Sequence, residues 1–120
     1  MKNLLLLTLF ITFILQSCGG ELDYNIGIKK KNLKGLYPTG ELWWEYSHLN
    51  GERDGVWKSY YKNGKLSRRG SYSNGEINGV WEFYHQNGQL ERKGSYENGV
   101  RIGIWEYYNE DGSLMRTETY

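Results

Sequence analysis

The stretch YSNGEINGVWEFYHQNG, Tyr72–Gly88, returns 24 residues later as YENGVRIGIWEYYNEDG, Tyr96–Gly112. Self-similarity at a fixed period of this size marks a repeat architecture, so it governs the reading of the whole chain. The same clock runs outward in both directions. Gly40, Gly64, Gly88 and Gly112 each follow Thr, Asn or Asp, and a Leu stands two residues after each (Leu42, Leu66, Leu90, Leu114). Asn50-Gly51, Asn74-Gly75 and Asn98-Gly99 recur in phase, as do Gly55, Gly79 and Gly103. Val56-Trp57, Val80-Trp81 and Ile104-Trp105 follow these glycines, and Tyr60, Tyr84 and Tyr108 come three residues after each Trp. Three full units therefore cover 37–60, 61–84 and 85–108, and a half unit, 109–120, continues the phase.

Each unit reads as two strands and two turns. Asn63-Gly64, Asn87-Gly88 and Asp111-Gly112 predict two-residue type I′ hairpins, which need positive φ at both central positions. The Asn-Gly-x-x-x-Gly segments predict a longer second turn. Between the turns lie short runs rich in Trp, Tyr, Phe and Val, as strands are. The expected fold is all-β: a single-layer antiparallel meander of about seven short strands. Neighbouring strands lie about 4.8 Å apart, so one unit advances the sheet by about 9.6 Å.

Alternation sorts the faces. Lys65, Ser67, Arg69 and Ser71 share a polar face with Gln89, Glu91, Lys93 and Ser95. Leu66, Arg68, Gly70 and Tyr72 point the other way, with Leu90, Arg92, Gly94 and Tyr96. Gly70 and Gly94 leave room for a neighbouring indole to cross the backbone. Trp57, Trp81 and Trp105 are expected to form one stacked ladder, and Tyr60, Tyr84 and Tyr108 another. Residues 18–120 hold 16 Leu, Ile and Val against 17 aromatics. A single sheet has no second layer to bury against, so flat rings, each worth roughly 150–250 Å² of burial, must supply the core. The columns are thus structural first, and Trp43 and Trp44 in the irregular first unit are the rings expected to be free for a ligand.

The composition agrees. There are 16 Gly, five Trp, eleven Tyr and no Ala among 120 residues. Gly costs roughly 1 kcal/mol relative to Ala inside a helix, which argues against a bundle. One Cys excludes an internal disulfide framework and an all-Cys zinc site. The net charge is +1 overall, and residues 18–120 carry 14 basic and 14 acidic side chains. That balance argues against a dedicated nucleic-acid binder.

The N-terminus reads as an address. Met1-Lys2-Asn3 is a short positive start, and Leu4–Leu15 is a run of 12 apolar or Thr residues. As a helix it would span about 18 Å, short of a bilayer core of about 30 Å, which suits a secretory signal better than a membrane span. Leu15-Gln16-Ser17-Cys18-Gly19 then resembles the lipobox of bacterial lipoproteins. The resemblance implies a signal peptide over 1–17, lipidation of Cys18, and a lipid-anchored N-terminus and tether over 18–36. It also implies residence in the bacterial cell envelope. A lone Cys in an exported chain lacks a disulfide partner, and two or more acyl chains give stable anchoring where one is marginal.

Tyr72 through Gly88 and Tyr96 through Gly112 resemble MORN repeats of the variant type. Short bacterial chains of such repeats are similar to the YwqK-type group, commonly labelled antitoxins. The resemblance covers about residues 37–120 and implies a β-hairpin repeat that serves as a binding or scaffolding surface. The first unit departs most, with Trp43-Trp44-Glu45-Tyr46 where later units carry Ser/Arg/Gly patterns.

Catalytic chemistry finds no constellation. His48 and His85 fall in different repeat columns, and the glycines sit at turns rather than in a phosphate loop before a helix. The chain is therefore expected to be non-enzymatic, with no cofactor and no metal. Its expected partners are a protein and, through Cys18, the membrane. A glycan, peptidoglycan included, is the alternative ligand, because rings can stack on sugar faces at about a disaccharide's spacing.

Overall fold

A computed structural model of the chain describes Gly27 and residues 29–120. The signal segment 1–17, Cys18 and most of the tether lie outside the described residues. The rest is one antiparallel sheet whose strands follow chain order. They are β1 (Lys30–Leu36), β2 (Leu42–Leu49), β3 (Glu52–Tyr60), β4 (Leu66–Ser73), β5 (Glu76–Tyr84), β6 (Leu90–Glu97), β7 (Val100–Tyr108) and β8 (Leu114–Thr119). The all-β meander expected from the period is what forms.

There are eight strands rather than about seven, and the extra one comes from the segment read as tether. β1 pairs with β2 from Lys30↔Leu49 to Leu36↔Leu42. Its backbone is the surface on which Trp44 lies: a Cβ at Gly35 would sit 2.3 Å from the Trp44 indole. The lysines that make this run look like a solvated linker (Lys30, Lys31, Lys34) suit an edge strand, where charge discourages further pairing.

The turns are assigned the opposite way from the expectation. Asn50-Gly51, Asn74-Gly75 and Asn98-Gly99 are the tight two-residue connections, with φ of 52°, 50° and 47° at the Asn and 90°, 81° and 81° at the Gly. Both central residues are left-handed, as type I′ requires. Asn63-Gly64 instead ends a five-residue loop. There Gly64 N–H donates to Tyr61 O at 2.9 Å and Tyr61 N–H to Lys65 O at 2.8 Å. This is a type I turn closed by one left-handed glycine, and Asn63 Oδ1 accepts from Lys65 N–H at 2.9 Å. Loops 85–89 and 109–113 repeat that pattern. Gly55, Gly79 and Gly103 lie inside β3, β5 and β7, beside breaks in register.

Turns also bond to turns one unit along. Tyr37 Oη donates to Tyr60 O at 2.8 Å, Tyr61 Oη to Tyr84 O at 2.5 Å, and His85 Nε2 lies 3.0 Å from Tyr108 O. Asn63 Nδ2 donates to Gln86 O and Asn87 Nδ2 to Glu110 O. At the other edge, Gly75 N–H donates to Arg53 O and Gly99 N–H to Ile77 O. A period of two strands thus becomes a stack in which each unit holds its neighbours, the nearest-neighbour arrangement of repeat proteins.

The core is thin. Among the described residues Trp105, Trp81 and Tyr107 are the buried aromatics, at 0%, 4% and 9% exposure. Trp81 lies across Gly70 and Trp105 across Gly94, where a Cβ would come within 2.1 and 2.2 Å of the indole. Their Nε1–H groups donate to Ser71 O at 3.1 Å and Ser95 O at 3.3 Å. Each glycine therefore serves as the floor for an indole, and the ring edge is tied to the backbone beside it.

Candidate binding surface

The two faces of the sheet carry different chemistry. Trp44, Tyr46, Trp57, Trp81, Phe83, Trp105 and Tyr107 share one face with Tyr72, Tyr96 and Tyr120. The expected Trp ladder is present in part. Trp57 and Trp81 stack at 5.6 Å with 30° between planes. Trp81 reaches Trp105 through intermediaries: Phe83 lies 6.3 Å from each, and Tyr96 meets them edge-on at 6.3 and 5.0 Å. One unit advances the sheet by two strands, about 9.6 Å, which is too far for direct indole contact unless both rings lean along the row.

Tyr60, Tyr84 and Tyr108 stand on the reverse face, and there the second ladder does not form by ring stacking. Each hydroxyl instead donates to a carboxylate: Tyr60 to Glu45 at 2.7 Å, Tyr84 to Glu82 at 2.9 Å, Tyr108 to Glu106 at 2.9 Å. Those carboxylates belong to a row of directly opposed residues, Lys34, Glu45, Lys58, Arg69, Glu82, Lys93 and Glu106. Ion pairs close at 3.5 Å (Lys58–Glu45), 2.5 Å (Arg69–Glu82) and 3.0 Å (Lys93–Glu106). Burial first, then the Glu45 carboxylate, pushes the Tyr60 phenol up to about 12. The Lys93 ammonium, with the Tyr108 hydroxyl, holds the Glu106 carboxyl below its usual range. This row is close to charge balance, with four cations against three carboxylates.

The aromatic face is not balanced. The chain has six arginines, and five of them lie over rings of this face. Arg53 approaches Tyr46 and Tyr72 at 5.2 and 5.3 Å. Arg92 lies 4.2 Å from the Phe83 centroid, and Arg68 5.9 Å from the same ring. Arg101 lies 4.4 Å from Trp105, and Arg116 4.1 Å from Tyr107. Among the strand carboxylates only Glu118, opposite Trp105, occupies this face. Among the described residues Arg53, Arg68 and Arg101 pair with no carboxylate. Overall neutrality therefore conceals a basic, aromatic face backed by an acidic one, where Glu45, Glu52, Asp54, Glu76, Glu82, Glu91, Glu97 and Glu106 outnumber the strand cations. The sequence candidates omit these arginines, although Arg68, Arg92 and Arg116 stand 24 residues apart.

Trp43 and Trp44, neighbours in sequence, part company. Trp44 packs on Gly35 and stacks with Tyr46 at 5.0 Å. Trp43 is 48% exposed and stacks with Tyr37 at 5.6 Å. It lies on the side of Glu45, where Asn32, Lys34, Glu45, Ser47, Val56 and Lys58 line a shallow groove of about 490 Å³.

The model of the MORN repeat variant matches residues 53–74, 77–98 and 101–120. The chain belongs to the MORN repeat variant family. Each matched MORN segment starts in an odd-numbered strand, and the first two run on through the next strand to the tight Asn-Gly turn. The MORN matches leave out β1 and β2, which carry Trp43, Trp44 and most of the groove's lining. No curated protein matches the chain.

Proposed function

We propose that this is a non-enzymatic, lipid-anchored protein of the bacterial cell envelope whose MORN-variant sheet binds a protein partner, in an immunity-like or scaffolding role. The observation that carries the binding half is the aromatic face, with five guanidiniums and one strand carboxylate. Trp, Tyr and Arg are the residue types enriched at interface hot spots. Guanidiniums seated on rings present their N–H edges outward without first losing side-chain freedom. The anchoring half rests on the N-terminal sequence: a positive start, an apolar run too short to span, and Leu15-Gln16-Ser17-Cys18. An anchored sheet meets partners in the envelope, so the antitoxin label of the similar YwqK-type group translates here into protection against an envelope-borne toxin.

Two experiments test the two halves. Cys18→Ala should move the protein from the membrane to the soluble fraction; membrane retention with a cleaved signal contradicts lipidation. Capture from an envelope extract should yield a stoichiometric protein that Arg68→Gln/Arg92→Gln loses. Trp43 favours a second reading, since it offers an exposed ring backed by Tyr37, on which a sugar can stack. Retention on peptidoglycan after salt washing, abolished by Trp43→Ala and with no protein captured, would establish that glycan reading instead.

A further inference from the structure

We infer that the row Arg68–Phe83–Arg92–Tyr107–Arg116 is a docking track for an extended acidic segment that carries a carboxylate at every third residue. The inference rests on the protein-binding reading above and specifies the partner's chemistry.

The five residues stand directly opposite one another across β4 to β8: Arg68↔Phe83, Phe83↔Arg92, Arg92↔Tyr107, Tyr107↔Arg116. Guanidinium and ring alternate along a line perpendicular to the strands. The arginines lie two strands apart, so their backbone positions recur at about 9.6 Å, and the Arg68 and Arg92 guanidiniums both flank Phe83. The rings back the charges, with Arg92 and Arg116 lying over Phe83 and Tyr107 at 4.2 and 4.1 Å. Those rings are thereby covered, which disfavours a sugar as occupant, because a sugar needs a bare ring face. What the track offers is planar guanidinium, the group suited to forked pairing with carboxylate.

One end of the row shows the chemistry at work. Glu118 takes a hydrogen bond from Arg116 Nε at 2.9 Å, Tyr107 Oη at 3.1 Å and Tyr120 Oη at 2.6 Å. The positions 24 and 48 residues earlier are Gly94 and Gly70, which supply no acid. Among the described residues Arg68 has no carboxylate, Arg92 reaches only its chain neighbour Glu91 at 3.6 Å, and Arg92 Nε is buried with no hydrogen-bond partner. Arg68 and Arg92 thus lack the strand acid that Arg116 holds.

Spacing selects the conformation of the segment. A β-strand returns a side chain to the same side every two residues, about 6.7 Å, and falls out of step with the arginines at once. A polyproline II segment has three residues per turn and rises about 3.1 Å per residue, so every third side chain recurs on one side at about 9.3 Å. Between Arg68 and Arg92, the two arginines without a counterpart of Glu118, the mismatch is only about 0.3 Å.

The test uses the full chain in detergent and two labelled peptides of identical composition. One is a repeat of Glu-Pro-Pro triplets; the other gathers its glutamates at one end. Anisotropy titrations should show the spaced peptide binding about tenfold tighter. Arg68→Gln and Arg92→Gln should each remove most of that preference while the far-ultraviolet spectrum and melting temperature stay put. Arg68 is exposed, so its variant keeps the test valid if Arg92→Gln fails to fold. Equal affinity for the two peptides, or a preference untouched in Arg68→Gln, overturns the track, as does tighter binding of an oligogalacturonate of equal charge. A captured envelope partner alongside equal peptide affinities would sink the track and leave the protein-binding reading standing. Discrimination between the peptides with no captured partner would do the reverse.

Discussion

The first unit and the inner units are built on one period, yet they solve the packing problem differently. In the inner units an indole lies on a glycine: Trp81 on Gly70, Trp105 on Gly94. In the first unit the equivalent position holds Tyr46, opposite Trp57. A ring there denies Trp57 a floor, and Trp57 remains half-buried where Trp105 is fully enclosed. The ring column changes too: Phe83 and Tyr107 have Ser59 as their counterpart. The sheet compensates by recruiting β1, whose Gly35 serves as the floor for Trp44. A Gly–Trp seat encloses the indole only where strands cover it from both sides: Trp81 and Trp105 are buried, whereas Trp44, seated on the edge strand, stays half-buried.

The largest effects should come from the inner seats. Trp105→Ala is expected to cost about 3–5 kcal/mol, as enclosed aromatic truncations do. Trp57→Ala should cost about 2 kcal/mol, in keeping with its partial burial. Urea unfolding of the two variants checks this, and equal losses would break the comparison. Next comes Gly94→Ala. The added methyl meets the indole, and overpacking of this kind costs about 1–3 kcal/mol. It should expel Trp105 toward solvent, seen as a red shift in tryptophan emission; an unshifted spectrum would show that the seat can flex.

A smaller, pH-dependent difference tests the reverse face. The Tyr60 phenol is raised from its ordinary value near 10 to about 12 in the fold. The folded state therefore holds that proton more tightly than the unfolded chain. Its contribution is complete below about pH 10 and is lost as the pH rises toward 12. Tyr60→Phe should flatten that part of the melting profile. Burial and Glu82 also raise Tyr84, so the remaining alkaline loss should shrink again in Tyr60→Phe/Tyr84→Phe. Smallest of all, Lys93→Gln breaks a solvated pair with Glu106 and should cost less than about 1 kcal/mol. A thermal scan at raised salt, where the wild type approaches the variant, sharpens that last contrast.

Much of the fold was legible because a period leaves little freedom. Alternation left Gly70 and Gly94 open for an indole, and Trp81 and Trp105 lie there. The turn assignment was less legible, because Asn-Gly occurs at both turns of every unit. What separates Asn74-Gly75 from Asn63-Gly64 is the closing hydrogen bonds, and these depend on strand register. The second ladder expected from Tyr60, Tyr84 and Tyr108 does not form: one unit, about 9.6 Å, separates the rings, and each hydroxyl binds a carboxylate on its own face.

By itself, the sequence determined the repeat, the all-β class, the alternation of faces and the glycines that admit indoles. Those follow from local chemistry copied every 24 residues. Only the tertiary structure decided that Lys30–Leu36 joins the sheet and which Asn-Gly makes the tight turn. It also decided that Arg53, Arg101 and Arg116 join Arg68 and Arg92 on the aromatic face. Cross-strand register brings Arg68, Phe83, Arg92, Tyr107 and Arg116 side by side from positions 9 to 15 residues apart in the chain. A net charge near zero is a sum over both faces, and the sum cannot show that one face is basic.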